Sequence, residues 1–171
     1  MRTFISIDLD KEETKQNLIE VQGKITDTDS GEINLVKPDN FHITMKFLGD
    51  VEEPRIDEVK QILEKYDEYP KKTLKVNEIG VFPHYGYIKV IWAGLEDDPD
   101  LGDVKTSLES DLSDLGFERD DKEFKPHITI GRVKKVWDKD SLVGLLKTLK
   151  NDESGEMEID ALKLKKSTLT P

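Results

Sequence analysis

The chain has 171 residues, of which 35% are hydrophobic and 37% charged, and its formal net charge at pH 7 is −11. This length and composition are typical of one sizeable soluble domain. A broad electrostatic grip on a nucleic-acid duplex normally needs a basic surface, so the acidic balance argues against one. The chain has no cysteine, which excludes disulfides, zinc–thiolate sites and thiol nucleophiles.

Membrane and export signals are also missing from the pattern. No segment approaches the ~18–20 consecutive apolar residues that a membrane span requires. The opening stretch "MRTFISIDLD" carries acidic residues where a signal peptide would need an apolar run. We therefore expect a cytoplasmic protein without a membrane partner.

The first part of the chain alternates between strand and helix patterns. A strand is predicted over 2–9, a helix over 10–26 and a turn-rich link over 27–32. The stretch "FHITMKFLG" predicts a second strand over 41–49, and an amphipathic helix is predicted over 52–69.

The remainder of the chain shows the same alternation. Its predicted elements are strands over 72–82 and 87–95 joined by "PHYG", a helix over 98–116, a strand over 125–133, a helix beginning at Asp138 and a strand over 156–169. This order predicts an α+β fold in which two small, mainly antiparallel sheets face a central groove and helices cover the outside. We expect residues 1–171 to form a single bilobal, pseudo-symmetric domain.

The tripeptide His-Ile-Thr occurs twice, at 42–44 and 127–129, each time on a predicted strand between two predicted helices. Because side chains alternate along a strand, the histidine and threonine of each copy share a face. A single copy would be interpreted as a surface histidine. Two copies, in a chain with only three histidines, indicate a diverged duplication with a common function.

Two histidines and two hydroxyl groups in one groove suit chemistry at a phosphodiester. An imidazole titrates near neutral pH, so one of His42 and His127 can accept a proton while the other donates one. Thr44 and Thr129 can donate hydrogen bonds to the non-bridging phosphate oxygens. In-line displacement puts the attacking and leaving oxygens on opposite sides, which fits one His-x-Thr from each lobe.

Other chemistries fit less well. A two-histidine metal centre is disfavoured, because His-x-Thr is not ligand spacing and neither triplet contains a carboxylate. A Ser-His-Asp hydrolase is disfavoured because the chain has no G-x-S-x-G stretch.

Two cations are weaker candidates for phosphate binding. Lys46 shares the predicted face of His42, although a solvated lysine at the strand edge is an equal alternative. Strict alternation puts Arg132 on the face opposite His127, and only a local bulge, which Gly131 permits, would turn it inward.

The other polar and aromatic candidates have simpler interpretations. Tyr85 and Tyr87 can stack a base at the groove rim, with ordinary packing as the alternative. Lys89 can contact an RNA backbone or lie on the sheet surface. His84 lacks a threonine two positions later and is interpreted as a surface residue, and Trp92 as a core residue.

With both motifs in view, the sequence resembles the two-histidine phosphoesterase superfamily, whose defining feature is a pair of His-x-Thr/Ser motifs. Within it, the sequence is most similar to the 2′-5′ RNA ligase family of RNA 2′,3′-cyclic phosphodiesterases. The resemblance runs through "RTFISIDL", "NFHITMKFLGDV", "GVFPHYGYIKVIWAGL" and "FKPHITIGRVK". One departure is Ile88-Lys89, where the family often has Pro-Arg, and it affects fine substrate contacts.

The resemblance implies metal-free hydrolysis, without any cofactor, of 2′,3′-cyclic phosphate ends of RNA or of small cyclic nucleotides to 2′-phosphates. By microscopic reversibility it also implies ATP-independent joining of such ends through a 2′-5′ bond. It assigns His42 and His127 as the acid–base pair, whose roles exchange between hydrolysis and synthesis. For hydrolysis we favour His127 as the base, with the opposite assignment as the alternative. Thr44 and Thr129 are then the phosphate-oxygen donors. A non-catalytic module that binds nucleotides or RNA ends is the alternative, and we expect a monomer.

Overall fold

The computed structural model of the chain describes residues 2–68 and 71–167. The strands in this part of the chain are β1 (Arg2–Asp8), β2 (Gly31–Leu35), β3 (His42–Asp50), β4 (Lys72–His84), β5 (Tyr87–Leu95), β6 (His127–Val136), β7 (Gly155–Ile159) and β8 (Lys163–Lys166). The α-helices are α1 (Glu12–Asp27), α2 (Glu53–Glu64), α3 (Pro99–Asp114) and α4 (Lys139–Thr148), with short 3-10 segments at Pro38–Asn40 and Lys65–Glu68. Among these helices, none has the length and apolar character to cross a membrane.

The strands pair in antiparallel fashion in the order β7-β4-β5-β6-β3-β1-β8, with β2 also beside β6. The two central strands, β3 and β6, meet through the pair Ile43–Ile128. On one side of this junction lie β3, β1 and β8, and on the other lie β6, β5, β4 and β7. The α+β antiparallel fold is thus confirmed, and its two halves are joined edge to edge at the junction.

The apolar core lies between the sheet and the helices, with Ile5, Ile43, Ile91 and Ile128 all at 0% exposure. Helix α1 follows β1 in the chain but packs against β6 and β7 in the other half of the sheet. Helix α3 follows β5 but is hydrogen-bonded to β3. These two helices therefore cross between the halves.

The order of elements supports an internal duplication. When β2, which precedes β3, and β7, which precedes β8, are set aside, the series β1-α1-β3-α2-β4 is followed by the equivalent series β5-α3-β6-α4-β8. The last strand of each series also crosses over, since β4 pairs with β5 and β8 pairs with β1. The two repeats are thus related by a pseudo-twofold axis through the β3–β6 junction.

Some elements differ from the sequence prediction. The predicted link over 27–32 runs into β2, which pairs with β6 at an edge where half-exposed side chains give no regular apolar alternation. The predicted final strand over 156–169 is two strands, β7 and β8, on opposite edges of the sheet. The predicted ends of the second helix at 69 and of the final strand at 168–169 lie outside the described residues.

Candidate active site

The two His-Ile-Thr segments lie side by side on adjacent antiparallel strands. Ile43 and Ile128 pair at the junction, and both side chains are buried against the helices. Because side chains alternate along a strand and opposite partners share a face, the flanking histidines and threonines all point to the other face of the sheet. We call it the groove face. Each histidine there lies across from the threonine of the other motif.

Backbone carbonyls fix the tautomer of both imidazoles. Nδ1 of His42 donates to the Asn40 carbonyl at 2.6 Å, and Nδ1 of His127 donates to the Lys125 carbonyl at 2.7 Å. Since a carbonyl oxygen can only accept, Nδ1 carries the hydrogen and Nε2 of the neutral ring is the free base. Nε2 of His42 lies 3.1 Å from the Thr44 hydroxyl. Both motifs therefore use the same arrangement to leave Nε2 available.

Burial lowers the pKa of both histidines, because the charged imidazolium loses hydration. The hydrogen bonds to backbone carbonyls oppose this effect. Among the nearby charges, those of Lys165 and Arg132 lower the pKa of His42 and that of Asp8 raises it. Lys125 lowers the pKa of His127. The net result is that both rings favour the neutral form more than a solvated histidine does.

Aromatic rings surround each imidazole. The ring of Phe4 lies 5.2 Å from that of His42. His127 makes an edge contact with Phe82 at 4.9 Å and lies 6.1 Å from Trp92. Trp92 is buried, as the sequence predicts, and it belongs to the wall around His127. These rings provide the burial that lowers the two pKa values.

A β-bulge follows each threonine. Met45 is the extra residue where β3 pairs with β1, and Ile130 is the extra residue where β6 pairs with β5. A bulge shifts the alternation of side chains by one position. The residue five positions after each histidine therefore returns to the groove face, and these residues are Phe47 and Arg132.

The bulges determine on which face of the sheet the two weaker candidates for phosphate binding, Arg132 and Lys46, lie. Arg132 lies on the groove face, near enough to lower the pKa of His42. Lys46 does not lie there, contrary to the prediction from strict alternation. Its side chain is buried on the helix side, where its Nζ contacts Glu109 at 2.9 Å. The prediction failed because the bulge at Met45 turns the next residue away from the histidines.

A buried side chain binds the carbonyl of each bulge. Nζ of Lys105 donates to the Met45 carbonyl at 2.7 Å, and Nε2 of Gln22 donates to the Ile130 carbonyl at 2.9 Å. The Ile130 carbonyl also accepts from the Val36 N–H at 3.0 Å. Lys105 belongs to α3 and Gln22 to α1. The two crossing helices therefore each hold the bulge of one motif.

The charge of Lys105 is balanced within a buried cluster. Glu109 accepts from both Lys105 and Lys46 at 2.8–2.9 Å and from the Asp120 N–H at 3.1 Å. Burial alone would raise the pKa of Glu109, but the hydrogen bonds from the two lysines bring it below its usual value. Lys46 also donates to the Glu118 carbonyl at 2.7 Å. The cluster thus ties the segment before β6 to the strand that carries the first motif.

Phe47 and Phe82 are site residues that the sequence does not predict. Alternation puts Phe47 on the apolar face, yet its side chain is 74% exposed. The sequence did contain one indication: Phe47 lies five positions after His42, as Arg132 lies five positions after His127. The sequence around Phe82 contains no feature that distinguishes this residue from a phenylalanine of the core.

The remaining candidates lie in and beside the turn between β4 and β5. Tyr87 is 58% exposed, with the Lys89 ammonium 5.3 Å from its ring centre. Tyr85 packs partly against the core, and His84 is exposed. Within residues 2–68 and 71–167, no three His, Asp or Glu side chains form a group that could hold a metal ion.

Comparison with known proteins places the chain among phosphoesterases. The family model described as LigT like Phosphoesterase matches residues 7–92 and 95–171. The RNA 2′,3′-cyclic phosphodiesterase of Methanocaldococcus jannaschii is 37% identical over 100% of this chain and 94% of its own length. The enzyme of the same name from Methanothermobacter thermautotrophicus is 33% identical over 100% of this chain and 92% of its own length.

Solved structures share the fold. The crystal structure of TT0787 of Thermus thermophilus superposes with a TM-score of 0.78 at 24% identity, covering 100% of this chain and 91% of that one. The structure of E. coli LigT complexed with 3′-AMP superposes with a TM-score of 0.74 at 21% identity, covering 99% and 90%. The resemblance drawn from the paired motifs is confirmed, and the chain belongs to the LigT-like phosphoesterase family.

Proposed function

We propose that the protein hydrolyses 2′,3′-cyclic phosphate ends of RNA to 2′-phosphates, with His42 and His127 as the acid–base pair. The observation that carries this proposal is the matched pair of imidazoles on adjacent strands, each with Nδ1 donating to a backbone carbonyl, so that Nε2 of the neutral ring carries the basic lone pair. Whole-length relatives named RNA 2′,3′-cyclic phosphodiesterase support the substrate.

In the proposed reaction, Nε2 of one histidine takes a proton from water as the water oxygen attacks phosphorus. The bond between phosphorus and the 3′ oxygen breaks, and the other imidazolium gives its proton to that oxygen. Thr44, Thr129 and Arg132 bind the non-bridging oxygens while negative charge develops on them. The products are a 2′-phosphate and a free 3′-hydroxyl.

We propose His127 as the base and His42 as the acid in hydrolysis. Lys165 and Arg132 lower the pKa of His42 while Asp8 raises it, and Lys125 lowers the pKa of His127. The nearby charges therefore act in the same direction on both rings, and the assignment is tested by the single-histidine variants. In the reverse direction the roles exchange, and a 5′-hydroxyl in place of water would form a 2′-5′ bond without ATP.

The test uses an oligoribonucleotide that ends in a 2′,3′-cyclic phosphate, with EDTA present throughout. We expect the wild-type protein to produce a 2′-phosphate end. The variants His42→Ala and His127→Ala should produce this end far more slowly than the wild type does. Activity that disappears with EDTA and returns with a divalent cation would contradict the metal-independent mechanism. Tight binding of the end without turnover would instead identify a recognition module.

The proposal also includes the assembly. We propose that the chain acts as a monomer and as one bilobal unit, since each lobe contributes one His-x-Thr. Light scattering coupled to gel filtration measures the mass directly, and 19.6 kDa is the expected value. A dimer mass at micromolar concentration would contradict the monomer.

A further inference from the structure

Positive charge is concentrated in one pocket of an otherwise acidic protein. A cavity of about 580 Å³ lies among the β4–β5 turn, the adjoining parts of β5 and β6, and the start of α4. All of the charged residues in its lining are cations, namely Lys89, Arg132, Lys134, Lys135 and Lys139. In the whole chain, by contrast, 37 acidic residues outnumber 26 basic ones. The local excess of cations needs a physical reason.

Most of these cations have no acidic partner. In the part of the chain that the structure describes, no carboxylate forms an ion pair with four of them: Lys89, Arg132, Lys134 and Lys135. Lys139 donates to the Gly86 carbonyl at 2.8 Å, which leaves its charge in place. Other lysines, such as Lys72 and Lys163, are paired with carboxylates. The pocket therefore has an uncompensated positive potential that suits a polyanion.

The pocket is connected to the catalytic groove through Arg132. This residue lines the pocket, and it is also near enough to His42 to act on it electrostatically. Tyr87 stands exposed in the same lining, with the Lys89 ammonium 5.3 Å from its ring centre. Positive side chains with an exposed aromatic ring are the combination on which single-stranded nucleic acids bind and stack.

We propose that this pocket binds the phosphodiester backbone of single-stranded RNA, in the nucleotides next to the end that reacts between His42 and His127. The inference rests on the proposed function and deepens it. The preferred substrate is then an oligoribonucleotide rather than a free cyclic mononucleotide. A concentrated site also explains how a protein with a net charge of −11 holds an anionic chain.

The test compares KM for two substrates, a short oligoribonucleotide with a 2′,3′-cyclic phosphate end and adenosine 2′,3′-cyclic phosphate. The pocket variant carries Lys89→Gln, Lys134→Gln and Lys135→Gln. Its matched control replaces three exposed lysines elsewhere, with Lys24→Gln, Lys60→Gln and Lys150→Gln. Both variants change the net charge equally, so general repulsion of RNA affects them alike.

We expect the pocket variant to raise KM for the oligoribonucleotide by at least about fivefold and to leave KM for the mononucleotide within about twofold. The slope of log KM against log salt for the oligoribonucleotide should fall by about 2, since each single-strand phosphate contact contributes about 0.7. The control should leave both quantities near wild type.

Two failures are distinguishable. If the wild-type protein turns over neither substrate, the proposed function itself is wrong. If it turns over both, and the pocket and control variants have the same KM for the oligoribonucleotide, the pocket inference is wrong and the catalytic proposal stands.

Discussion

The two histidines that we propose as the acid–base pair differ in the charges that surround them. Asp8, opposite His42 in the strand pair, accepts hydrogen bonds from Lys163 and Lys165. Near His127, Lys125 is paired with Glu78 at 3.1 Å. Burial nevertheless acts in the same direction on both rings and lowers both pKa values. The free protein therefore holds both imidazoles mostly neutral at pH 7.

This protonation state predicts the pH dependence of kcat/KM, which reports the free enzyme. The proposed reaction requires one protonated and one neutral histidine, and both pKa values lie below the ordinary value of about 6.5. As pH rises above that value, the protonated acid is lost and kcat/KM falls. As pH falls through both pKa values, the base is lost. We expect an optimum below about pH 6.5, and an optimum above pH ~7.5 would contradict the assignment.

A histidine titration followed by NMR separates the two sites. Arg132→Met removes a positive charge that lowers the pKa of His42. We therefore expect the pKa of His42 to rise in this variant while that of His127 stays unchanged, which makes His127 an internal control. Equal movement of both titrations would show that Arg132 acts through the fold and not through its charge.

Phe47 offers a second residue-scale prediction. Its ring is exposed on the groove face and lies 6.1 Å from Phe4, next to His42. A base stacked on an aromatic ring contributes about 1–3 kcal/mol, so Phe47→Ala should raise KM about tenfold. Phe47→Tyr keeps the ring and is the control. An unchanged KM in Phe47→Ala would exclude stacking of a base on this ring. Because the ring is exposed, Phe47→Ala should leave the free energy of unfolding unchanged.

At the scale of elements, the bulges set which side chains reach the groove. A bulged carbonyl leaves the strand ladder and needs another donor when it is buried. For Met45 the donor is Lys105, whereas Ile130 has both Gln22 and Val36. The side-chain donor is thus a charged lysine in the first motif, and in the second it is a neutral amide that shares the carbonyl with a backbone N–H.

Lys105→Met is expected to lower kcat by about tenfold or more with little change in KM, because small shifts of His42 misalign the reacting groups. Lys46→Met is the matched control, since Lys46 is equally buried and its ammonium also bonds Glu109, whereas the bond to the Met45 carbonyl comes from Lys105. Gln22→Met should have a milder effect than Lys105→Met. Equal losses of kcat in the two lysine variants, measured well below their unfolding temperatures, would show only a general structural role.

Periodicity predicted the helices and the two strands that carry His-Ile-Thr well, because each buries one regular apolar face. It placed the histidine and threonine of each motif on one face, since none of them lies beyond a bulge. Periodicity put Lys46 and Phe47 on the wrong faces, because a bulge precedes both residues. The carbonyl of that bulge is bound by a lysine sixty positions away in the sequence, which a local pattern does not reveal. Periodicity merged β7 and β8 for a similar reason, since only their partners β4 and β1 separate them.

At the scale of the whole molecule, the β3–β6 junction joins the two halves and carries the site. Ile43→Ala should lower the free energy of unfolding by about 2–5 kcal/mol through the cavity that it leaves. Ile79→Ala is the control, because Ile79 is also at 0% exposure but lies on β4, away from the junction.

Both isoleucine variants should lose similar stability in urea unfolding. Only Ile43→Ala should also lower kcat markedly when the two are compared under conditions in which both are folded, because Ile43 lies between His42 and Thr44. Equal kcat in the two variants would show that the junction does not position the motifs.

The crossing of α1, α3, β4 and β8 between the halves has a consequence for ancestry. One repeat alone contains a helix and a strand whose partners belong to the other repeat. Two copies of a half-length chain complete each other by exchanging those elements, which is the arrangement of a domain-swapped homodimer. In such a dimer the His-x-Thr motifs meet at the symmetry axis as two identical halves of one site. A single chain that contains both repeats is free to place different side chains at equivalent positions. It does so at Phe47 and Arg132, which give the two ends of the groove different chemistry.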